Sequence, residues 1–204
     1  NPEIVTALAN AFIEGMHEAG MPSVGKHFPG HGFCATDSHI GFPVDERSLE
    51  ELITCDLKPF TALSEAGVLD GIMPAHVTYP KIDPEYAAGY STKWLRDILP
   101  NTVGFHGLVI SDCLGMTGAD IGDLLTRGTQ ALQAGCQLLI VANQENPVLK
   151  AFLDELPAHY RDENQSAIDA FRAKIRPIVR GEVSVEENIS ETVKESALNR
   201  TKTV

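Results

Sequence analysis

The sequence is poor in several features, and each shortage excludes a class of protein. Lysine and arginine total 16 against 28 aspartates and glutamates, which gives a formal net charge of −12. Because no basic stripe is available to follow phosphates, we expect neither nucleic acid nor an anionic membrane as a partner. No apolar run approaches the roughly 20 residues that cross a bilayer, and the N-terminus lacks a secretory-signal pattern. We therefore expect a cytoplasmic protein.

Cysteine is also scarce, with four residues in the chain, Cys34, Cys55, Cys113 and Cys136. None of them forms a C-x-x-C pair, and each is next to apolar or small residues. This pattern is typical of small buried side chains rather than of a disulfide framework. We expect reduced thiols in the core, as in other cytoplasmic proteins.

The apolar residues fall into an alternation of strands and helices. Short apolar runs predict strands at residues 23–28, 71–75, 107–111 and 137–141. Helical periodicity predicts helices over residues 4–19, 48–65, 92–99 and 121–134, with another near Pro147. Gly20, Gly67 and Gly135 follow helical patterns, where a left-handed residue ends a helix. Alternating elements with continuously apolar strands indicate an α/β fold with a parallel sheet.

Polar residues at the strand ends favour a barrel over a doubly wound sheet. The first three strands end in Lys26 and His27, in His76 and in Asp112. Active sites of (β/α)₈ barrels lie at this end, and a complete barrel needs about 250 residues. We therefore predict the C-terminal half of a (β/α)₈ TIM barrel in residues 1–157. The absence of an initiator Met suggests that a longer protein supplies the other strands.

Residues 158–204 have a more charged and weakly amphipathic pattern. Helical periodicity predicts one helix over residues 167–179 and a second from Val185 onward. We interpret this segment as a C-terminal helical extension that packs on the barrel and carries no chemistry of its own.

Side chains that could act in catalysis or bind a ligand are most concentrated in the stretch K-H-F-P-G-H-G at residues 26–32 and in D-S-H at residues 37–39. One interpretation is a metal site, because His27 and His31 have the i, i+4 spacing of a zinc-binding helix and Asp112 could complete the ligands. Pro29 and Gly30 interrupt the helix that this spacing requires. We therefore expect neither a metal nor another cofactor.

A second interpretation is an acid/base pair of Asp37 and His39. In an extended loop, residues i and i+2 project to the same side, so Asp37 can hold one imidazole nitrogen and leave the other for a substrate. A simple turn without chemistry remains an alternative for this segment. Asp112 ends a buried strand, where an ionised carboxylate is costly without a partner. A nucleophile and an acid/base are the two functions that retaining glycoside hydrolysis needs.

Other residues of the same strand ends are candidates to bind the substrate. Lys26 and His27 can donate hydrogen bonds to sugar hydroxyls. Met73 and His76 are candidates to line the same site. The alternative for Lys26 and His27 is a strand-end salt bridge and a histidine that is satisfied by the protein.

These motifs resemble those of bacterial family 3 β-N-acetylhexosaminidases, in order and at compatible spacing, with I-M-P-A-H-V at residues 72–77 and I-S-D at residues 110–112. The resemblance implies that Asp112 is the covalent nucleophile, His39 the mobile acid/base and Asp37 its partner. It also implies that Lys26 and His27 contact the sugar. The implied activity is removal of terminal β-linked N-acetylglucosamine from muropeptides during cell-wall recycling. We expect the protein to act as a monomer.

Two departures from the family limit these expectations. The family often has a second aspartate after the nucleophile, where this chain has Cys113. The family's upstream sugar-binding aspartate and arginine lie on strands absent from this sequence, so we expect the chain alone to be inactive. The alternatives are a phosphorylase or β-glucosidase of the same family, or a sugar-binding protein without catalysis.

Overall fold

The structure is a computed structural model that describes residues 1–175. Its strands are β1 Val24–Phe28, β2 Gly71–Pro74, β3 Thr78–Tyr79, β4 Asp83–Ala87, β5 Leu108–Cys113 and β6 Leu138–Ile140. Its α-helices are α1 Pro2–Glu18, α2 Leu49–Thr54, α3 Leu57–Glu65, α4 Leu99–Asn101, α5 Leu124–Ala134, α6 Asn146–Glu155 and α7 His159–Ala173. A π-helix, Lys93–Ile98, precedes α4, and Ala88–Tyr90 and Thr117–Ala119 form 3₁₀ turns. None of the helices in residues 1–175 combines the length and apolar character needed to span a bilayer.

Four strands form one parallel sheet in the order β1, β2, β5 and β6. The register places Val24 opposite Gly71, and Gly71 opposite Leu108. A doubly wound sheet reverses its strand order at a switch point, whereas neighbouring barrel strands follow in chain order. The α/β fold and the four parallel strands of a partial barrel are therefore confirmed.

Two helices differ from their predicted bounds, because contacts of side chains outside the periodic pattern interrupt the helical segments. The single helix predicted over residues 48–65 is divided, because α2 ends at Thr54 and α3 begins at Leu57. A capping box fixes the start of α2: Ser48 accepts from the Glu51 N–H, and Glu51 accepts from the Ser48 N–H. The prediction over residues 92–99 corresponds to the π-helix and α4.

Part of the predicted C-terminal extension lies within the described residues. The helix predicted over residues 167–179 begins earlier, as α7 at His159. The helix predicted from Val185 lies outside the described residues. The division at residue 157 and the extension to residue 204 stay predictions.

The hairpin of β3 and β4 was not predicted from the sequence. The two strands pair antiparallel directly after β2, and β3 has two residues, too few for a pattern. The hairpin places the fully buried Tyr79 against Trp94, with ring centroids 5.1 Å apart. The Tyr79 hydroxyl donates a hydrogen bond to the Gly30 carbonyl, so the hairpin supports the turn that follows β1.

The cysteines depart from the predicted pattern. Cys136 is buried, but Cys34 and Cys113 are half-buried and Cys55 is exposed. The prediction of core thiols is therefore wrong for Cys55, which lies in the break between α2 and α3, where the chain leaves the helical periodicity. All four thiols are free.

An apolar cleft lies beside the sheet in the described part of the chain. It has a volume of about 840 Å³ and lies between α1 and the strands, and its lining includes Val24, Met73 and Ile110. On α1, Leu8 and Phe12 are 67% and 72% exposed. An apolar surface of this kind is expected where further barrel strands would pack.

Candidate active site

Most of the residues predicted to act in catalysis and binding lie toward the carboxyl ends of β1, β2 and β5. Lys26 on β1 is opposite Met73 on β2, His76 follows the end of β2, and Asp112 lies near the end of β5. Because β1, β2 and β5 are parallel neighbours, their carboxyl ends share one edge. The structure therefore brings these residues to the same edge, as the strand pattern predicted.

A bulge in β1 turns His27 toward this edge. Lys26 is opposite Met73 and Phe28 is opposite Pro74, which leaves His27 as an extra residue. Such a residue interrupts the alternation of side chains between the two faces. Lys26 is exposed, whereas His27 is half-buried with its Nε2 atom 3.6 Å from Oδ2 of Asp112. The imidazole thus faces the carboxylate without a direct hydrogen bond.

The Asp112 carboxylate has two different oxygens. Oδ1 accepts a hydrogen bond of 2.7 Å from the Cys113 N–H, and Oδ2 is the atom that faces His27. The side chain is 14% exposed, so it is largely but not fully covered. A carboxylate with one oxygen held by the backbone and the other facing a partly open site can act as a nucleophile.

The groups around His27 shift the pKa of its imidazole. Burial lowers this pKa, the Asp112 carboxylate opposes the decrease, and Lys26, His31 and His39 lower it further. His27 is therefore uncharged near neutral pH, where it can donate a hydrogen bond without adding positive charge. The ring of His31 lies 6.1 Å from that of His27 between centroids, so the start of the loop after β1 is near the strand ends.

His76 is deeper than its neighbours in the site. It is 2% exposed, and among the described residues neither ring nitrogen has a partner at hydrogen-bond geometry, although the backbone of Asp112 and Cys113 lies near the ring. Its ring lies 5.3 Å from that of Tyr90, and burial lowers its pKa while Asp112 opposes the decrease. Met73 lines the apolar cleft together with Lys26. Whether Met73 and His76 contact a substrate stays a prediction.

Asp37 and His39 are assembled as a pair on an exposed turn. Oδ1 of Asp37 accepts from Nδ1 of His39 at 2.7 Å and from the His39 N–H at 2.9 Å. We predicted an extended backbone here from the sequence. The structure has a turn instead, because the Asp37 carbonyl accepts from the N–H groups of Ile40 and Gly41. The pairing is therefore present for a different reason: the carboxylate caps a turn and holds the imidazole at the same time.

The electrostatics of the pair suit a proton donor and acceptor. The His39 N–H and then the His39 imidazole lower the pKa of the Asp37 carboxyl, which stays ionised. Since an ionised carboxylate only accepts, Nδ1 of His39 carries the hydrogen and Nε2 is available to a substrate. The side chains of Asp37 and His39 are 60% and 71% exposed.

Arg47 connects the two ends of the loop that carries this pair through its contacts with Asp45 and Asp56. We did not predict Arg47 as a functional residue from the sequence. Its guanidinium donates to both carboxylate oxygens of the fully buried Asp45 and to Asp56, and it lies 4.1 Å from the ring centre of Phe33. A Cβ on Gly30 would lie 2.5 Å from Oδ1 of Asp56. The short Asp45 to Arg47 spacing was the available signal, but only the fold shows that the pair is buried.

Within residues 1–175, no three histidine, cysteine, aspartate or glutamate side chains are arranged to share a metal ion. His27 and His31 come together as a ring pair with centroids 6.1 Å apart. That catalysis needs no metal stays a prediction.

Comparison with known families and proteins finds matches over most of the chain. The model of the glycosyl hydrolase family 3 N-terminal domain matches residues 1–176. A β-hexosaminidase of Idiomarina loihiensis is 49% identical over 158 residues, which cover 77% of this chain and 47% of the relative. The chain therefore spans about half the length of the curated relatives it matches.

Solved structures show the same similarity. A glycoside hydrolase family 3 β-N-acetylglucosaminidase from Paenibacillus sp. is 28% identical with a TM-score of 0.79, covering 93% of this chain and 37% of that one. NagZ from Neisseria gonorrhoeae, in complex with N-trifluoroacetyl-D-glucosamine, is 38% identical with a TM-score of 0.69. That alignment covers 85% of this chain and 55% of the neighbour.

Proposed function

The chain belongs to glycosyl hydrolase family 3, and from this we propose that it forms the catalytic half of a retaining β-N-acetylglucosaminidase. The proposed substrate is a terminal β-linked N-acetylglucosamine of muropeptides, and the proposed setting is cytoplasmic recycling of the cell wall. The names of the β-hexosaminidase relative and of the Neisseria complex support this sugar. Because the chain spans half of its relatives, we propose that it acts within a complete barrel.

In the first step, Oδ2 of Asp112 attacks the anomeric carbon while His39 gives its Nε2 proton to the glycosidic oxygen. The bond between the anomeric carbon and that oxygen breaks, the leaving alcohol departs with the proton, and a glycosyl-aspartate ester forms. The position of Asp112 supports this role, since Oδ1 is held by the backbone and Oδ2 faces the site.

In the second step, neutral His39 takes a proton from water, and the water oxygen attacks the anomeric carbon. The ester bond breaks, the Asp112 carboxylate is restored and the product has the β configuration of the substrate. Asp37 supports this cycle because its ionised carboxylate holds Nδ1 of His39 and stabilises the imidazolium when it forms.

Lys26 and His27 bind sugar hydroxyls in this proposal. The exposed Lys26 supplies a charged donor, and His27 supplies a neutral donor beside the nucleophile. A neutral imidazole at 3.6 Å leaves the negative charge of Asp112 in place, which keeps the carboxylate nucleophilic.

One observation carries the proposal: contacts connect Asp112 to the assembled Asp37–His39 pair. Asp112 lies 3.6 Å from His27, the His27 ring packs on that of His31, and His31 lies 3.0 Å from Oγ of Ser38, between the two residues of the pair. The test is a full-length enzyme containing this chain, assayed on 4-nitrophenyl N-acetyl-β-D-glucosaminide with 4-nitrophenyl β-glucoside as control. We expect turnover of the N-acetylated substrate and at most trace turnover of the glucoside. Equal turnover of both would contradict the proposed sugar, and no turnover of either would contradict the activity.

A phosphorylase is the second candidate, because the acid/base is a histidine. After the first step His39 is neutral, so it does not repel a phosphate anion as a carboxylate base would. Adding inorganic phosphate to the assay separates the two reactions. Hydrolysis gives free N-acetylglucosamine at an unchanged rate, whereas phosphorolysis gives the sugar 1-phosphate and a faster rate.

A further inference from the structure

We propose that Gly118 is a positioning residue that holds His39 in place through Ser38, an inference that rests on the proposed function. We call residues 37–41 the acid/base turn. Gly118 lies in the 3₁₀ turn Thr117–Ala119, which follows Asp112 along the chain. It touches neither the substrate nor the reacting atoms in this proposal, and it acts through the backbone of Ser38.

A single backbone hydrogen bond joins the acid/base turn to another segment of the described residues. The Gly118 N–H donates to the Ser38 carbonyl at 2.8 Å. Both residues are buried, and Ser38 is 3% exposed, although Asp37 and His39 on either side of it are exposed. The turn is therefore docked at its middle residue, while its two proposed catalytic side chains remain free.

The docking surface has no room for a side chain at position 118. A Cβ there would lie 2.9 Å from the Ser38 carbonyl oxygen, 3.1 Å from the Gly41 carbonyl oxygen and 3.1 Å from Cβ of Ser38. The first two contacts are with backbone atoms, which cannot move unless the turn moves. Gly118 does not have a positive φ, so glycine is required here for space and not for backbone conformation.

The segment that carries Gly118 is itself fixed. The Tyr90 hydroxyl donates to the Ala119 carbonyl at 2.9 Å, and the Arg127 guanidinium donates to the Leu114 carbonyl at 2.9 Å. On the other side, Oγ of Ser38 is 3.0 Å from Nε2 of His31. The contact thus joins an anchored segment next to Asp112 to a turn with its own internal hydrogen bonds.

This arrangement sets the acid/base relative to the nucleophile. In the proposed reaction His39 must reach the glycosidic oxygen while Asp112 reaches the anomeric carbon of the same sugar. A displacement of about 1 Å is enough to lower the rate of such a reaction strongly. A methyl group on residue 118 would push the turn away and leave Asp112 where it is.

The test compares Gly118→Ala with Thr117→Ala in the full-length enzyme. Thr117 is an exposed neighbour on the same 3₁₀ turn, so its change leaves the docking surface intact. We measure kcat/KM for an activated aryl N-acetylglucosaminide and for N,N′-diacetylchitobiose, whose leaving group needs protonation. For Gly118→Ala we expect a decrease of about 10-fold or more on the disaccharide and below about 3-fold on the aryl substrate. Thr117→Ala should stay within about 2-fold of wild type on both substrates.

An equal decrease on both substrates would overturn the inference, because loss of folded protein does not distinguish leaving groups. A wild-type enzyme that cleaves neither substrate would instead contradict the proposed function. A second measurement needs no variant: hydrogen exchange of the Gly118 amide in the full-length enzyme. Slow exchange supports the docking contact, and exchange as fast as that of the exposed Thr117 amide overturns it.

Discussion

At the scale of single residues, the proposed chemistry depends on groups that are held by few contacts. The Asp112 carboxylate accepts one hydrogen bond from the backbone, and the His39 imidazole donates one to the carboxylate of Asp37. Few contacts leave Oδ2 of Asp112 and Nε2 of His39 free to react. They also mean that each group can be removed with little effect on the rest of the protein.

Replacing His39 by alanine should impair leaving groups that need a proton. We expect kcat/KM in the full-length enzyme to fall by about 100-fold or more on a disaccharide, and by much less on an activated aryl glycoside. Azide should accelerate turnover of the aryl substrate and give the β-glycosyl azide. The matched control is His106→Ala, because His106 is exposed on the loop before β5. Equal losses on both substrates without azide rescue would show that His39 only binds.

At the scale of elements, the clamp formed by Arg47, Asp45 and Asp56 holds the loop after β1 to the barrel. Arg47→Ala should lower the free energy of unfolding by about 3 to 5 kcal/mol, since it leaves the buried Asp45 without its cation. Arg172→Ala removes an exposed pair with Asp169 and should cost less than about 1 kcal/mol. Urea unfolding measures both variants, and equal losses would contradict the clamp.

The sequence predicted the elements that have a strong local signal. The strands of the parallel sheet were predicted because each is a continuous apolar run, and Gly20 and Gly67 marked helix ends with the positive φ that the structure has. The hairpin after β2 and the break at Asp56 were not predicted. Their causes are tertiary: Tyr79 packs on Trp94, and Asp56 binds Arg47.

The same distinction applies to the site. The sequence motifs identified Asp37, His39 and Asp112 as catalytic candidates, because their residue types and spacing are unusual in themselves. Arg47 had only its short spacing from Asp45 as a signal and Gly118 had none, since their importance depends on which carboxylate or backbone the fold places against them. Even the assembled pair of Asp37 and His39 has a turn geometry that spacing alone did not predict.

At the scale of the whole molecule, Asp70 ties three segments together before β2. Its buried carboxylate accepts from the Lys174 ammonium at 2.7 Å and from the Ser23 N–H at 2.7 Å, and it pairs with His17 at 2.7 Å. Burial raises the pKa of Asp70, but hydrogen bonds from Lys174, Ser23 and His17 outweigh it, so the pKa is lowered overall. The network joins the α1 and α7 regions to the sheet.

The lowered pKa of Asp70 predicts a loss of stability in acid. The stabilisation is complete above the unfolded pKa of about 4 and disappears as the pH falls through the lower folded pKa. We expect Asp70→Asn to be less stable than wild type at pH 7, with a difference that shrinks below about pH 4. Asp169→Asn, at an exposed site, should behave as wild type. A difference independent of pH would contradict this role of the ionised carboxylate.

Chelation tests whether the reaction of the complete enzyme depends on a metal. We predict that it does not, since Pro29 and Gly30 interrupt the helix that His27 and His31 would need to bind a metal ion. We therefore expect activity to survive exhaustive dialysis against a chelator. If chelation abolished activity, and zinc restored it while magnesium as the control did not, the metal site would be favoured instead.

The most direct test of the account is the identity of the covalent intermediate. The full-length enzyme is treated with a slow 5-fluoro analogue of N-acetylglucosaminyl fluoride, digested and mapped by mass spectrometry. Asp120, which binds Arg127 in the loop after Asp112, provides the control variant Asp120→Ala. We expect the sugar on the peptide at Asp112 in wild type and in Asp120→Ala, and no adduct in Asp112→Ala. An adduct on another carboxylate, or one that persists in Asp112→Ala, would contradict the assignment of Asp112 as the nucleophile.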